Sequence, residues 1–525
     1  MRYIIVTGGV LSGLGKGLTT ASIAKLLQSM GYSVNPIKVD PYVNIDAGTM
    51  SPIEHGEVFV LDDGGEVDQD LGNYERFLDI SLTRAHNVTT GKVYQNVIHK
   101  ERKGDYLGKT VQIIPHITNE IKDLIRATAD GHDFVIIEVG GTVGDIESMP
   151  FLEAVRQLAN EEEVRFVHVV PILQLSVVGE QKTKPAQHSV RELMAAGIKP
   201  DVLVCRTATP LQAEVKRKVA QFCNVREDYV IENRDAPDIY HIPLLLRDQQ
   251  VGKKILSLFG IDNVSALTAW EQRISAPKTV TVDIGLVGKY TKLHDSYVSV
   301  LEALHHAGYE AGAEVCVHWV ESDFLTTEHL SRYDGILVPG GFGPRGAEGK
   351  IQAIKYAREQ NVPFLGLCYG FQLAIVEFAR YCGIKNAVSS EFDEDGTAVI
   401  DFLESQKHLE AMGATMRLGS SKVLVKKGTK AYELYGTCDI FERHRHRLEV
   451  VHDFITLYEG HGGVFSGSSP DGRMEIFEIP THPYFLCTQF HPEFKSRVER
   501  PAPTFKGFVQ ACVKRKQGDA ANGAC

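Results

Sequence analysis

Three stretches of this chain place a nucleophile, bases and donors at spacings that suit acyl chemistry. In VPFLGLCYGFQLAIVEFAR a short apolar run enters Gly-x-Cys-x-Gly and a helical pattern follows, with Cys368 at the turn. Small flanking glycines permit the strained turn of a nucleophile elbow, and a helix N-terminus lowers a thiol pKa, so Cys368 is expected to be partly thiolate at neutral pH. A cysteine nucleophile needs a base and a group that orients the base. TQFHPEF supplies both if it is a strand, because side chains two apart share a face and His491 then points with Glu493. His491 would move protons while Glu493 fixes its tautomer. In LVPGGFG, at a strand end, the N–H groups of Gly340 and Gly341 suit an oxyanion hole. A lone His-Pro-Glu also reads as a plain strand end; the three segments in this order are specific.

A second constellation opens the chain. TGGVLSGLGKGLTT surrounds Lys16 with glycines, after the apolar run YIIVTGG and before the helical pattern LTTASIAKLLQSMG. Strand, glycine loop and helix bring backbone N–H groups together at a helix N-terminus, which favours an anion, and Lys16 adds a mobile charge. The usual phosphate loop has glycine where Val10 stands and Ser or Thr where Gly17 stands. A tight turn with an unrelated lysine is therefore the competing reading. ATP needs a divalent cation held by hard carboxylates. Asp70 in GGEVDQDLGNYERF and Glu138 near the end of FVIIEVGGTVGD are suitably set. An unpaired carboxylate deep in an apolar strand costs several kcal/mol, which favours metal binding over a structural role. Lys38 in PIKVDPYVN is placed to neutralise a γ-phosphate. Lys182 and Lys184, beside Gln187 in GEQKTKPAQHSVREL, suit a second polyphosphate, although a solvated loop is an equal local reading.

The elements that must carry these residues follow from the apolar pattern. At 525 residues the chain exceeds a single core. YIIVTGG, SVNPIKVD, DFVIIEVGG, VRFVHVVPIL and DVLVCRT alternate with helical stretches, which predicts a parallel sheet covered on both faces. A polar helix and a Ser-Ala-Pro connector near 262–280 mark a boundary, and VTVDIGLVGKY, YDGILVPGG and VPFLGLCYG start a second pattern. The fold class is thus α/β in two domains, each with a mostly parallel sheet covered by helices on both faces. The boundaries are 1–268, a linker at 269–280, 281–514, and a small polar tail at 515–525 expected to be unstructured. A net charge of −11 argues against general affinity for nucleic acid or anionic membranes. Nine cysteines without metal-ligand spacing suit a reducing cytoplasm. The apolar run at the N-terminus is too short for a signal peptide, and no segment approaches the roughly 18 residues of a membrane span.

PGGFG, GLCYGFQ and FHPEF resemble the class I glutamine amidotransferase domain, which releases ammonia from glutamine. That family usually has Leu or a similar aliphatic residue where Tyr369 stands and Met where Phe371 stands. By match, Glu391 in SSEF would bind the substrate's α-amino group and Arg447 in ERHRHR its α-carboxylate; an exposed basic strand is the other reading of ERHRHR. TGGVLSGLGKG, KVDPYVNIDAGTMSPIEHGEVFVLDDGGEVDQDLGNYERF, EVGGTVGDIES, KTKPAQHSVREL and GKYTKLHDSYVSVLEAL resemble the CTP synthase family over roughly 1–510, with a dethiobiotin-synthetase-like amidoligase domain first. The resemblance implies that ATP phosphorylates the 4-oxygen of UTP and that ammonia displaces the phosphate. It implies Ser12, Gly13, Gly15, Lys16, Gly17, Lys38 and Asp70 for ATP, and Mg²⁺ on Asp70 and Glu138. Lys182, Lys184, Gln187 and Lys218 would hold the UTP triphosphate, Ser12 would also contribute, and Asp145, Ile146 and Glu147 would meet the ring of CTP, a feedback inhibitor. His55 and Val58 would line an ammonia tunnel, and Arg345 in GPRGAEGK would belong to a lid that responds to the activator GTP. A homotetramer, and in many members filaments, are implied too. Two other classes compete: a partition-ATPase-like nucleotide switch with a degenerate cysteine domain, and an independent glutamine or γ-glutamyl hydrolase. The first predicts a broken elbow or missing base, and the second leaves Lys16, Lys38, Asp70 and Glu138 without a purpose.

Overall fold

The computed structural model describes residues 1–51, 56–174, 179–264, 266–289, 294–392, 395–402 and 416–522. The chain divides into two compact units, Met1–Ala47 with Asp70–Ile274, and Gly48–Gln69 with Ser275–Cys525.

In the first unit a seven-stranded sheet runs Val230–Arg234, Val202–Thr207, Glu163–Pro171, Arg2–Gly8, Phe134–Val139, Val34–Asp40 and Asn87–Thr89. All neighbouring pairs are parallel. Helices cover both faces of such a sheet, which is why its strands read as unbroken β-branched runs; Ile4, Ile5, Ile136 and Ile137 are wholly buried. Register sets the site. Val6 and Lys38 both pair with Glu138, so a lysine and a glutamate stand side by side at the strand ends where the glycine loop departs. The crevice beyond the carboxyl ends of parallel strands is where such sheets bind ligands.

Residues 269–274, read from the sequence as the start of a linker, instead belong to the helix Thr268–Ile274. Trp270 anchors it: its ring lies 5.7 Å from Phe77 and 6.0 Å from Tyr240, and its indole donates to the Tyr240 carbonyl at 2.9 Å. The ammonium of Lys25 stands 4.7 Å over the ring.

In the second unit a nine-stranded sheet is parallel through Ala313–Glu321, Val280–Gly288, Gly335–Val338, Phe364–Leu367 and Phe485–Thr488. It continues antiparallel through Met474–Glu478, Val464–Ser468, Arg417–Val425 and Asp439–His446. Successive residues Ile336, Leu337 and Val338 alternate between two hydrophobic clusters, one on each face.

Gly48–Gln69 packs with this unit although the sequence sets it within the first domain. Its hairpin pairs Phe59–Val60 with Glu66–Val67, Arg443 donates to Asp62 at 2.7 Å, and Arg445 donates to Glu66 at 2.9 Å. The last helix, Pro503–Asn522, extends into the stretch expected to be unstructured. Phe505, Phe508, Val509 and Cys512 bury one side of it, and Lys516 pairs with Asp283 at 3.2 Å and Asp334 at 3.1 Å.

Trp270→Ala removes a ring that three neighbours hold, and is expected to destabilise the first unit by about 3–5 kcal/mol. A fall in the midpoint of its urea transition checks this.

Candidate functional site

In the first unit the chain leaves strand Arg2–Gly8 through the glycine loop and enters helix Lys16–Ser29. Gly15 caps the helix at φ 89°, and Val10 sits at φ 77°, a region hostile to a β-branched side chain. The loop thus stores strain where the usual phosphate loop has glycine. A Cβ on Gly17 would fall 2.0 Å from Asp70 Oδ1. The missing Ser or Thr after Lys16 has a steric reason: the Asp70 carboxylate fills that space.

Lys16 donates to the Gly141 carbonyl at 2.8 Å, and burial lowers its pKa. Lys38 donates to Glu138 Oε1 at 2.8 Å and to Asp70 Oδ2, with Asp40 at 3.9 Å. The Tyr74 hydroxyl donates to the other Glu138 oxygen. Burial raises the Glu138 carboxyl, and it raises Asp40 to about 6 against the pull of Lys38. Three carboxylates gather around the Lys38 ammonium, and this surplus of hard, negative oxygens suits a divalent cation.

Lys182 lies on the strand Gln181–Lys182 and pairs with Glu180 at 2.5 Å, while Gln187 donates to Thr183 at 2.9 Å. Lys184 and Lys218 are exposed, and Glu180 is held below its ordinary pKa by Lys182 and more weakly by Lys218. Ser12 and Gly13 are exposed in the loop, and Asp145, Ile146 and Glu147 are exposed on a turn. Among the described residues no hydrogen bond or ion pair joins that turn to Lys182, Lys184 or Lys218.

In the second unit, strand Phe364–Leu367 ends at Cys368, which adopts φ 48° and ψ −96° before helix Tyr369–Tyr381. A Cβ on Gly370 would meet the Val338 carbonyl at 2.1 Å, so the elbow demands glycine there. His491 Nδ1 lies 2.6 Å from Glu493 Oε1, and the imidazole stacks on Phe494. Burial alone would lower the His491 pKa; Glu493 and Cys368 outweigh it and raise it to about 10. Gly340 borders both groups: a Cβ there would stand 2.9 Å from His491 Cε1 and 3.8 Å from Cys368 Cβ. The thiol donates to the Arg445 carbonyl at 3.6 Å and accepts from Gln489 at 3.7 Å.

The expected strand placement of His491 and Glu493 is corrected. Strand Phe485–Thr488 stops short, and His491 caps the 3₁₀ turn Pro492–Lys495, where proline cannot continue a ladder. The turn, rather than strand alternation, brings the two side chains together.

Glu391 accepts from the Gly343 N–H at 2.8 Å. Burial raises its carboxyl, and Arg447 is among the cations that pull it back down. ERHRHR is a half-buried strand rather than an exposed one: Arg443, His444 and His446 are buried, with the two imidazoles 3.1 Å apart. Burial keeps both neutral, at about 3 for His446. His444, His446 and Glu475 carry ligand atoms within 4.8 Å of one another, but Arg417 holds Glu475 at 2.5 Å, so the group braces the strand.

Residues 2–261 match the family model described as CTP synthase N-terminus, and 292–511 match glutamine amidotransferase class-I. The chain is 55% identical over 529 residues to a CTP synthase of Pyrococcus abyssi, covering 98% of each. The chain belongs to the CTP synthase family. A CTP synthase of Methanosarcina mazei is 56% identical over 532 residues, covering 98% of this chain and 99% of that one. The glutaminase domain of Trypanosoma brucei CTPS with bound acivicin is 35% identical, with a TM-score of 0.42, over 44% of this chain and 94% of that one. Membership with both domains makes the chain a glutamine-dependent ligase of pyrimidine biosynthesis that aminates UTP to CTP with ATP.

For a CTP synthase, the residues named from sequence fall into separate groups. Lys16, Gly17, Lys38, Asp70 and Glu138 lie together, as do Cys368, His491, Glu493 and Gly340. Arg345 stands apart on the surface with Asp323 at 3.0 Å and Glu321 at 3.3 Å. Val58 is buried in the Gly48–Gln69 segment, and His55 lies outside the described residues. Sequence reasoning missed Asp40, Tyr74, Gln489 and the Tyr369 phenol. Tyr74 was within reach, since it lies one helical turn after Asp70 and shares its face.

Gly17→Ser, which restores the usual phosphate-loop residue, is expected to drive the hydroxyl into Asp70 and cut CTP formation by about tenfold or more with either nitrogen source. Parallel assays with glutamine and ammonium check this. The His491 value lies above the ordinary 6.5, so the pair's contribution to stability is complete below that pH and is lost as pH rises through about 10. Glu493→Gln is accordingly expected to move the alkaline limb of glutamine hydrolysis to lower pH, read from kcat/KM between about pH 6 and pH 10.5.

Proposed function

We propose that Cys368, His491 and Glu493 carry glutamine hydrolysis, and that the ammonia aminates UTP beside Lys16 and Lys38. The observation that carries this reading is the strained Cys368 elbow bordered by Gly340, which also borders an imidazole locked to Glu493 at 2.6 Å. The Cys368 thiolate adds to the amide carbon, and the N–H groups of Gly340 and Gly341 stabilise the oxygen as it gains charge. The His491 imidazolium gives its proton to the amide nitrogen, the C–N bond breaks, and ammonia leaves a γ-glutamyl thioester. Water then gives a proton to His491 and cleaves the thioester, which releases glutamate and restores the thiolate. Glu391 and Arg447 hold the substrate's α-amino and α-carboxylate groups.

In the first unit Ser12, Gly13, Gly15, Lys16 and Gly17 cradle ATP, and Lys16 and Lys38 accompany the γ-phosphoryl group to the 4-oxygen of UTP. Ammonia adds at the carbon that bears this oxygen, phosphate leaves with the oxygen, and the added nitrogen gives up one proton to the departing phosphate. Asp70 and Glu138 would hold Mg²⁺, which screens the phosphate charge; the carboxylate surplus around Lys38 supports it. Lys182, Lys184, Gln187 and Lys218 grip the triphosphate of UTP or of the inhibitor CTP, whose ring meets Asp145, Ile146 and Glu147. Val58, with His55, belongs to the path of ammonia, and Arg345 to a lid that senses GTP.

Free cysteines throughout the described residues support a cytoplasmic setting, and no helix among them is long and apolar enough to cross a membrane. Along the chain a domain boundary between residues 261 and 292 is supported by the matched spans 2–261 and 292–511.

The test follows CTP by ultraviolet absorbance with UTP, ATP and Mg²⁺. Cys368→Ala is expected to lose the glutamine-driven reaction by a factor on the order of 10³ and to keep the ammonium-driven one within about twofold. A native chain that makes no CTP from ammonium would overturn the reading of the first unit, and a variant that still uses glutamine would overturn that of the second.

A further inference from the structure

Lys350 is a buried charge that the reaction above leaves without a task. It lies on helix Ala347–Glu359, its side chain is wholly buried, and among the described residues Nζ has no hydrogen-bond partner. An ammonium brings three donors, and a protein rarely keeps them buried and unpaired unless something depends on them. Nζ does have the face of Tyr369, with the ring centroid 4.9 Å away, and the flank of Gly341, where a Cβ would stand 3.7 Å from it.

Tyr369 directly follows the nucleophile. As the first residue of its helix its N–H has no acceptor within the helix, the position from which a nucleophile elbow supplies an oxyanion donor. Its phenol donates to the Gly343 carbonyl at 2.7 Å, and the Gly343 N–H donates to Glu391 at 2.8 Å. The side chain therefore ties the elbow to the glycine loop. Lys289 holds the same loop through the Phe342 carbonyl.

We propose that Lys350 and Tyr369 form one brace that fixes the spacing between the oxyanion donors of Gly340 and Gly341 and that of Tyr369, and that the Lys350 ammonium supports the negative charge developing between them. Lys350 is a positioning residue, since it acts through the ring and the loop. The ring's quadrupole holds the cation, and a charge already in place inside a dry site needs no reorganisation during the reaction. The charged groups that act on Lys350 are Lys289, Asp323 and Glu391. Burial first and Lys289 second push its pKa down to about 7, against Asp323 and Glu391. The charge, and its support of the oxyanion, therefore fade as pH rises through about 7.

The inference rests on the reading of Cys368 as the nucleophile and of the glycine loop as donor. The experiment measures glutamine hydrolysis by the full chain and by Lys350→Met, Tyr369→Phe and the double variant, at about pH 6 and pH 9, with ammonium-driven CTP formation as a check on the first unit. Lys350→Met is expected to lower kcat on the order of tenfold at the lower pH and little at the higher, with KM within about twofold. Tyr369→Phe keeps the ring and loses the tie, so its kcat should fall at both. The double variant should lose less than the product of the two losses. Native kcat in Lys350→Met at the lower pH overturns the brace, as does an equal loss at both pH values with a raised KM, or strict additivity. Native activity that survives Cys368→Ala would instead overturn the underlying reading of the site.

Discussion

The second unit depends on one backbone conformation, the left-handed turn at Cys368. A non-glycine residue is held there only if its surroundings over-determine it. The surroundings do so with backbone: Val338 presses on Gly370, and Gly366 lies against the Gly370 carbonyl group. The parallel strand order follows from the same need, since Gly335–Val338 and Phe485–Thr488 flank Phe364–Leu367 and end beside it. One neighbour delivers the glycine loop and the other the His491 turn. The thiol, the imidazole and the donors are thus three consequences of strand adjacency around a single strained residue.

The first unit is organised by charge rather than by strain. Register sets Lys38 beside Glu138, and Asp70 arrives over Gly17. A buried cation among several carboxylates is tolerable only if each partner is hydrogen-bonded, and here Tyr74 and Lys38 take the two oxygens of Glu138. The cluster sits below the glycine loop, so a polyphosphate above it would meet positive charge from Lys16 and Lys38.

The strands marked by apolar runs, the glycine loop and the elbow were legible in the sequence, because each depends on local pattern. Less legible features depended on distant partners. His491 and Glu493 read as a strand pair, yet Pro492 and the end of the sheet turn them into a short helix, a change that no spacing of two can reveal. The tail read as unstructured since its composition is small and polar, but Lys516 finds Asp283 and Asp334 across the fold. An exposed basic strand was the competing reading of the run that holds Arg443, and Asp62, hundreds of positions earlier, explains why that residue is buried.

That last pair bears on modularity. The stretch Gly48–Gln69 is encoded inside one unit and packs in the other, where Asp62 and Glu66 pair with Arg443 and Arg445. A cut at the linker alone would take from Arg443 and Arg445 the carboxylates of Asp62 and Glu66. A boundary drawn at the linker would therefore divide one compact unit. The two units are interleaved along the sequence, so the second is assembled from stretches that lie on both sides of most of the first.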